Sequence, residues 1–303
     1  MKGWVLYKRK ASELSAVDHG VNHLLLAGRL EGISMHVYTP ESFDVLVREQ
    51  GRLSLFLEQE PVELPDFVIP RLGADISYFG LALLRELEAL GVYVCNSADA
   101  IGLVKDKMLM SQWLRTHGLP TPKTMLVKFP VSYALVEREL GFPVVIKTNS
   151  GAKGYGIYLC ESAESFNDLM ELISVQNDPK PMILQQFIVS SCGRDVRVFI
   201  LGDKVIGCMQ RIASHGFKAN YSRGARVEAY PITPALSELA LKTARLFGLS
   251  IAGIDVLFDD QGGFTVCEAN SSPGFKGMES VMGINIATEI IRYIKQELLS
   301  RKF

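Results

Sequence analysis

The chain has 303 residues with 32 basic and 33 acidic side chains, and a formal charge of -1 gives no general attraction to nucleic acid or to an anionic membrane. At 48% hydrophobic and 21% charged it has the composition of an ordinary globular protein, which excludes disordered, collagenous and coiled-coil classes. Its length suits about two domains, or one domain divided into lobes. Five cysteines, at 95, 160, 192, 208 and 267, form no Cys-x-x-Cys pair, which fits reduced thiols in a cytoplasmic protein. The apolar run at the N-terminus breaks too early for a signal peptide, and no run reaches the roughly 18 apolar residues of a membrane-spanning helix.

The first hundred residues alternate short apolar runs with helical patterns: strands at Trp4–Tyr7, Met35–Tyr38, Phe67–Pro70 and Val92–Cys95, and helices over Asp18–Leu30 and Ser77–Leu90. Such alternation implies an α/β unit with a mostly parallel sheet. A further helix is predicted over Lys105–His117, broken by Gly118-Leu119-Pro120-Thr121-Pro122, where a new lobe opens. Beyond it come a strand at Pro143–Lys147, a glycine-rich turn from Gly151 to Gly156, a strand at Ile157–Cys160 and a helix over Ser162–Val175, which together read as a hairpin flap. Strands at Ile183–Ile188, Asp195–Leu201 and Lys204–Arg211, a helix over Pro234–Phe247, two more strands and a final helix near Ile286–Leu299 suggest an α+β lobe.

Chemistry concentrates in three places. Asp255 interrupts the apolar strand Ile251–Phe258, where an unpaired carboxylate is costly, and Glu268 and Asn270 lie two apart, on one face of the next strand. Oxygen donors without a His/Cys cluster suit Mg²⁺ or Mn²⁺ rather than zinc; the structural alternative is acids at strand ends bonded to backbone. The segment Lys147-Thr-Asn-Ser-Gly151-Ala-Lys153-Gly154-Tyr155-Gly156 places an ammonium beside a loop whose backbone N–H groups can approach phosphates, although it matches neither a Walker loop nor a dinucleotide fingerprint and could be a plain hairpin turn. Residues 204–226 carry Lys204, Arg211, Lys218, Arg223 and Arg226 with no acid among them, which suits phosphate or carboxylate recognition or else a solvated basic loop. His215 reads as a loop residue, and no nucleophile elbow or Cys/His signature supports covalent catalysis.

Taken in order, Ile69-Pro-Arg71-Leu-Gly73, Asn96-Ser-Ala-Asp-Ala-Ile, Lys105-Asp-Lys107, Lys147 with its glycine loop, Leu184-Gln-Gln-Phe-Ile188, Asp195-Val-Arg197, Phe217-Lys-Ala-Asn220 with Arg223-Gly224, Ala252-Gly-Ile-Asp255 and Glu268-Ala-Asn-Ser-Ser-Pro-Gly274 followed by Gly277-Met-Glu279 resemble the ATP-grasp carboxylate-amine ligases, and the RimK-like glutamate ligases in particular. The resemblance spans nearly the whole chain. It implies an ATP-grasp fold, α/β and α+β, with a Rossmann-like pre-ATP-grasp lobe over residues 1–103, a central flap lobe over 104–181 and a C-terminal lobe over 182–303.

By the same likeness, Lys107 and Lys147 would contact the phosphates of ATP, and Gly151, Lys153, Gly154 and Gly156 would close over the γ-phosphate. Gln185, Gln186, Phe187 and Ile188 would form the adenine hinge, although the family commonly has an acid at the second of these positions. Asp195 would hold the ribose, Lys218 and Asn220 would reach the phosphates, and Asp255, Glu268 and Asn270 would bind two Mg²⁺ or Mn²⁺ ions. Arg211, Arg223 and Lys147 are the candidates for handling the reacting carboxylate and acyl phosphate. The implied reaction joins the amine of an amino acid, L-glutamate by likeness, to a carboxylate on an acidic peptide, a protein tail or a small molecule, in a homo-oligomer without nucleic-acid or membrane partners. The alternatives are a non-catalytic nucleotide-binding regulatory module and a ligase of the same class for another amino acid.

Overall fold

The computed structural model describes residues 1–47, 54–73, 76–151, 155–176 and 180–301. The first lobe runs β1 (Lys2–Leu6), α1 (His19–Leu30), β2 (Ser34–Tyr38), β3 (Phe43–Val45), β4 (Leu55–Leu57), β5 (Glu60–Pro61), β6 (Phe67–Pro70), α2 (Tyr78–Ala89), β7 (Tyr93–Val94) and α3 (Ala98–Lys105). Its main sheet has the order β2-β1-β6-β7, with each pair parallel. The runs Trp4–Leu6 and Phe67–Ile69 are buried throughout, as strands covered on both faces by crossover helices must be. A small antiparallel sheet, β3-β4-β5, was not legible in the sequence.

The helix predicted over Lys105–His117 is α4 (Lys107–Thr116), while α3, which runs up to it, was not predicted. Asp106 leaves helical geometry at φ -87° and ψ 105°, and its carboxylate accepts from the Leu109 N–H at 2.8 Å, capping α4. That break places Lys107 in the first turn of α4. The Lys107 and Met108 N–H groups are bonded to the Asn149 backbone and side chain, so α4 is tied to the segment after the next lobe's key strand.

The central sheet comprises β8 (Thr124–Leu126), β9 (Val144–Thr148), β10 (Ile157–Cys160) and β11 (Met182–Gln186), in the order β10-β9-β11-β8 and antiparallel, with α5 (Tyr133–Glu139) and α6 (Ala163–Ser174). Val144, Ile146, Met182 and Leu184 pack with Phe166 and Met170 of α6 in one core. The strand β11, placed beyond the 181/182 division in the sequence, pairs with β9 and β8 and so belongs to this sheet.

The last lobe has β12 (Arg194–Leu201), β13 (Lys204–Ile212), β14 (Arg226–Ala229), α7 (Pro234–Leu246), β15 (Ile251–Phe258), β16 (Phe264–Asn270), α8 (Lys276–Met282) and α9 (Ile286–Ser300). Its antiparallel sheet has the order β14-β13-β12-β15-β16. One face, with Val196, Val198, Ile200, Ile254 and Val256, packs on Leu236, Ala240 and Ala244 of α7. The opposite face is apolar at one end, where Phe199, Leu201 and Ile251 join α9 and the first lobe's Leu24, Phe67 and Ile69 in a shared core. At its other end it is charged.

Asn96 fastens the two outer lobes. It is buried; its Nδ2 donates to Ile251 O at 2.7 Å and Ser271 O at 2.9 Å, and its Oδ1 accepts from the Ser250 and Ile251 N–H groups at 2.7 and 2.9 Å. On the surface, Glu31 of the first lobe pairs with Arg292 and Lys295 of α9 at 2.9 and 3.2 Å.

Candidate functional site

Strand alternation puts Asp195 and Arg197 of β12 on one face, and register sets Asp195 opposite Arg211, Arg197 opposite Asp255, and Asp255 opposite Glu268. A bulge between Asp255 and Val256 inserts Cys267 into β16. That extra residue changes the phase of the strand: Val266 and Ala269 stay in the core, while Glu268 and Asn270 join the charged face. Gly253 is required because a Cβ there would lie 2.6 Å from Pro273, whose loop continues from Asn270.

The charged face is a closed network. Arg197 donates bidentately to Asp255 at 2.7 Å through each bond, and Arg211 donates bidentately to Asp195 at 2.6 Å through each. Arg211 also lies 3.0 Å from Asp255, and the Asn270 Nδ2 donates to Asp255 at 3.3 Å. Burial pushes the Asp255 carboxyl up, but the Arg197 and Arg211 guanidiniums outweigh it and hold it lowered to about 2. Burial, with the Asp255 charge beyond it, raises the Asp195 carboxyl even against Arg211. Burial lowers Arg211, but the two carboxylates more than reverse this, so it keeps its proton.

Lys107 enters from the first turn of α4, with its Nζ 3.4 Å from Glu268 and donating to Gly151 O at 3.2 Å. Lys147, on the face of β9 opposite Val144 and Ile146, donates to the Gln185 side chain at 2.6 Å and lies 3.6 Å from the Cys267 sulfur. Burial keeps Cys267 a thiol, its pKa raised despite Lys147. Gly156 has φ 67°, and a Cβ would sit 2.7 Å from the Thr148 hydroxyl, so the loop's return demands glycine. Lys218 lies 5.6 Å from the Tyr158 ring and Arg223 5.5 Å from the Tyr155 ring, which sets both against the flap strand and its turn. Burial lowers the Lys218 pKa, and Arg223 adds to the effect.

A cavity of about 280 Å³ lies between the outer lobes, lined by Lys105, Lys107, Arg197, Arg211, Asn220, Glu268, Asn270 and Lys276, among others. Thus Lys107, Arg211, Asn220, Glu268 and Asn270 are brought to one cavity, and Asp255 lies directly behind it on Arg197 and Arg211. Asp195 was expected at the ribose, but both of its oxygens are bonded to Arg211. Gln185 was expected to meet the adenine mostly through its backbone; its side chain is buried between Lys147 and Thr124, and Gln186 accepts from the Lys123 N–H at 3.4 Å. Phe187 packs edge-on to Phe217, and Ile188 O accepts from the Ser191 N–H. Lys153 and Gly154 lie outside the described residues.

Sequence reasoning assigned no role to Arg197, Lys105 or Lys276. For Arg197 the signal was its spacing of two from Asp195. Lys105 donates to Ile76 O, and Lys276 lies 171 residues beyond Lys105 in the chain, so no local pattern reveals that they share a cavity wall. Glu268 and Asn270, with Asp255, form an all-oxygen donor set suited to a hard divalent ion. Both Asp255 oxygens already face guanidiniums, so Glu268 and Asn270 are the readier donors.

Among the described residues, no helix is long and apolar enough to cross a membrane. A RimK-like ATP-grasp domain matches residues 104–294 and a RimK pre-ATP-grasp domain matches residues 16–101. A protein named "Probable alpha-L-glutamate ligase" from Xanthomonas campestris is 34% identical over 282 residues, covering 92% of this chain and 96% of that protein. Another of that name from Pseudomonas aeruginosa is 37% identical over 240 residues, covering 78% of each chain. The solved structure of the ATP-grasp ligase PsnB with a minimal precursor superposes with a TM-score of 0.74 at 23% identity, covering 97% of this chain and 98% of that one. The D-alanine–D-alanine ligase of Bacillus anthracis superposes at 0.70 with 17% identity, covering 99% and 97%. Two matched domain models and relatives above 30% identity along most of their length agree with the sheets and the cleft: the chain belongs to the RimK-like ATP-grasp family of carboxylate-amine ligases.

Proposed function

We propose that the enzyme joins the amine of L-glutamate to the carboxylate of an acidic peptide, a protein tail or a small molecule, through an acyl phosphate. The observation that carries this reading is the cavity, which has Lys107, Glu268 and Asn270 together with Lys105, Arg197, Arg211 and Lys276 on its walls. Phosphoryl transfer needs the first group, and substrate carboxylates need the cations. PsnB, which shares the fold, has been solved with a precursor peptide and with Mg and ADP, and this supports a peptide acceptor beside a nucleotide.

Lys107 and Lys147 neutralise ATP phosphates, with Lys218, Asn220, Gly151 and Gly156 closing around them; the backbone of Gln185, Gln186, Phe187 and Ile188 meets the adenine, and Asp195 holds the ribose with the lone pairs that its bonds to Arg211 leave. Glu268, Asn270 and Asp255 would hold Mg²⁺ or Mn²⁺ ions, which supply charge neutralisation for the transferring phosphoryl group when bound. The acceptor carboxylate attacks the γ-phosphorus as the bond to ADP breaks. The amine then attacks the acyl carbon, inorganic phosphate leaves, and the ammonium proton passes to solvent. Arg211 and Arg223 face the developing negative charge. The chain's contribution is alignment and electrostatics, with no covalent protein intermediate.

The test is ADP release with Mg²⁺, ATP and a panel of amino acids, with and without an acidic-tailed peptide, followed by mass determination of the product. Glutamate-dependent release with a gain of one or more glutamyl units is expected, and Glu268→Ala abolishes it. Release with another amino acid alone overturns the choice of glutamate.

A further inference from the structure

A second cluster of ligating side chains joins the outer lobes. His19 and His23 stand one turn apart on α1 and therefore on one side of that helix, with ring centroids 3.7 Å apart. Both approach the same oxygen of Glu279 on α8: His19 Nε2 at 2.7 Å and His23 Nδ1 at 3.5 Å. The second distance is too long for a good hydrogen bond, so hydrogen bonding alone does not account for the convergence. The other Glu279 oxygen accepts from the Ile286 N–H at 2.9 Å, which fixes the carboxylate with its remaining oxygen toward the imidazoles. An outer partner that orients a ligand in this way is a regular companion of metal sites.

The three donor atoms lie within 4.8 Å of one another. Donors about 2.0–2.1 Å from a tetrahedral ion stand roughly 3.3 Å apart, so small side-chain adjustments bring all three onto one ion. Two imidazoles and one carboxylate favour borderline ions over Mg²⁺, and they leave a position for water. Glu279 is 12% and His19 22% exposed, while His23 at 39% leaves a path from solvent. Arg71 is the neighbouring cation, stacked 5.5 Å from the Phe275 ring and donating to Pro273 O.

We propose that His19, His23 and Glu279 bind a divalent transition ion of the zinc class, clamping α1 of the parallel-sheet lobe to α8. The site is separate from the oxygen donors at Glu268, and Lys276 and Gly277, at the start of α8, belong to the cavity wall. The ion therefore fixes one wall of the substrate cavity to the first lobe.

The test uses the full chain, stripped with EDTA and returned to excess Mg²⁺ so that the hard-cation donors are occupied, then titrated with Co²⁺. One equivalent is expected, with visible bands of nitrogen and oxygen ligation and no thiolate charge-transfer band. Zn²⁺ displaces the colour and raises the melting temperature. Because loss of even an outer-shell partner costs 10–100-fold in affinity, His23→Ala and Glu279→Gln each weaken Co²⁺ binding by about 10-fold or more. His23 is the most exposed of the three, so that variant tests the site without threatening the fold. Cys192→Ser binds as the unmodified chain does. Absence of a stoichiometric Co²⁺ complex, or an unchanged affinity and spectrum in His23→Ala, overturns the proposal.

Discussion

Arg211 is bonded to two buried carboxylates, and replacing it with methionine tests how the charged face is balanced. The Arg211→Met variant leaves Asp255 its bidentate bond to Arg197 but strips Asp195 of both of its guanidinium bonds. Removing one partner of a buried pair costs about 3–5 kcal/mol, which for a chain of this size lowers the melting temperature by on the order of 10 °C. The Arg211→Met/Asp195→Asn double variant removes the orphaned charge and is expected to recover most of that loss.

The pH dependence supplies a second readout. Asp255 has a folded pKa of about 2, below its ordinary value of 3.8, so it contributes stability that is present above about pH 4 and lost as the pH falls toward 2. Asp195 is shifted the other way, and loss of Arg211 raises it further. A carboxyl with a raised folded pKa is relieved when it takes up a proton, so the deficit of Arg211→Met should narrow as the pH falls from neutrality toward the ordinary value of 3.8. Denaturant titrations of the two single variants, the double variant and the unmodified chain at several pH values measure all of this. A deficit below about 1 kcal/mol, or one that does not narrow in acid, refutes the reasoning.

Asn96→Ala removes four hydrogen bonds to buried backbone, and at about 1 kcal/mol each the denaturant midpoint should report a loss of roughly 4 kcal/mol; an unchanged midpoint would show the lobes joined by other means. Lys147→Ala should keep its circular dichroism but bind ATP analogues at least about 10-fold more weakly by calorimetry, because the proposed charge-assisted phosphate contact would be lost. Gly156→Ala should destabilise the protein by about 1 kcal/mol or more, since φ is positive and Thr148 is in the way, with the melting temperature as the measure. Alkylation near pH 8 should label exposed Cys192 well before Cys267, and equal rates would contradict the half-covered thiol of raised pKa described above.

Much of the scaffold was legible because strand periodicity carries facing information. Asp195, Arg197, Asp255, Glu268 and Asn270 could each be read as polar groups interrupting apolar strands, and those strands are adjacent in one sheet. Which charge meets which was not legible, since the pairing of Arg211 with Asp195 and of Arg197 with Asp255 depends on register between strands. The bulge at Cys267 was equally hidden, because one extra residue leaves no local signature. The helix α3 was missed, and with it the role of Asp106, which caps α4 and separates the two helices. The short strands β3, β4, β5, β8 and β14 and the short helices α5 and α8 lack the length that makes a periodic pattern distinct.

The shared core that unites Leu24, Phe67 and Ile69 with Phe199, Ile251 and α9 has a mechanical consequence. The central sheet has a core of its own, built on Phe166 and Met170, and is joined to the rest by the short connectors at 118–123 and 187–193 and by a few polar contacts such as those of Lys107 and Met108 to Asn149. Four sheets therefore amount to two bodies: a welded base and one jaw. On the proposed reading, the nucleotide would be gripped and released by a hinge movement of the jaw, while the cavity between the outer lobes, walled mainly by the base, would keep its shape.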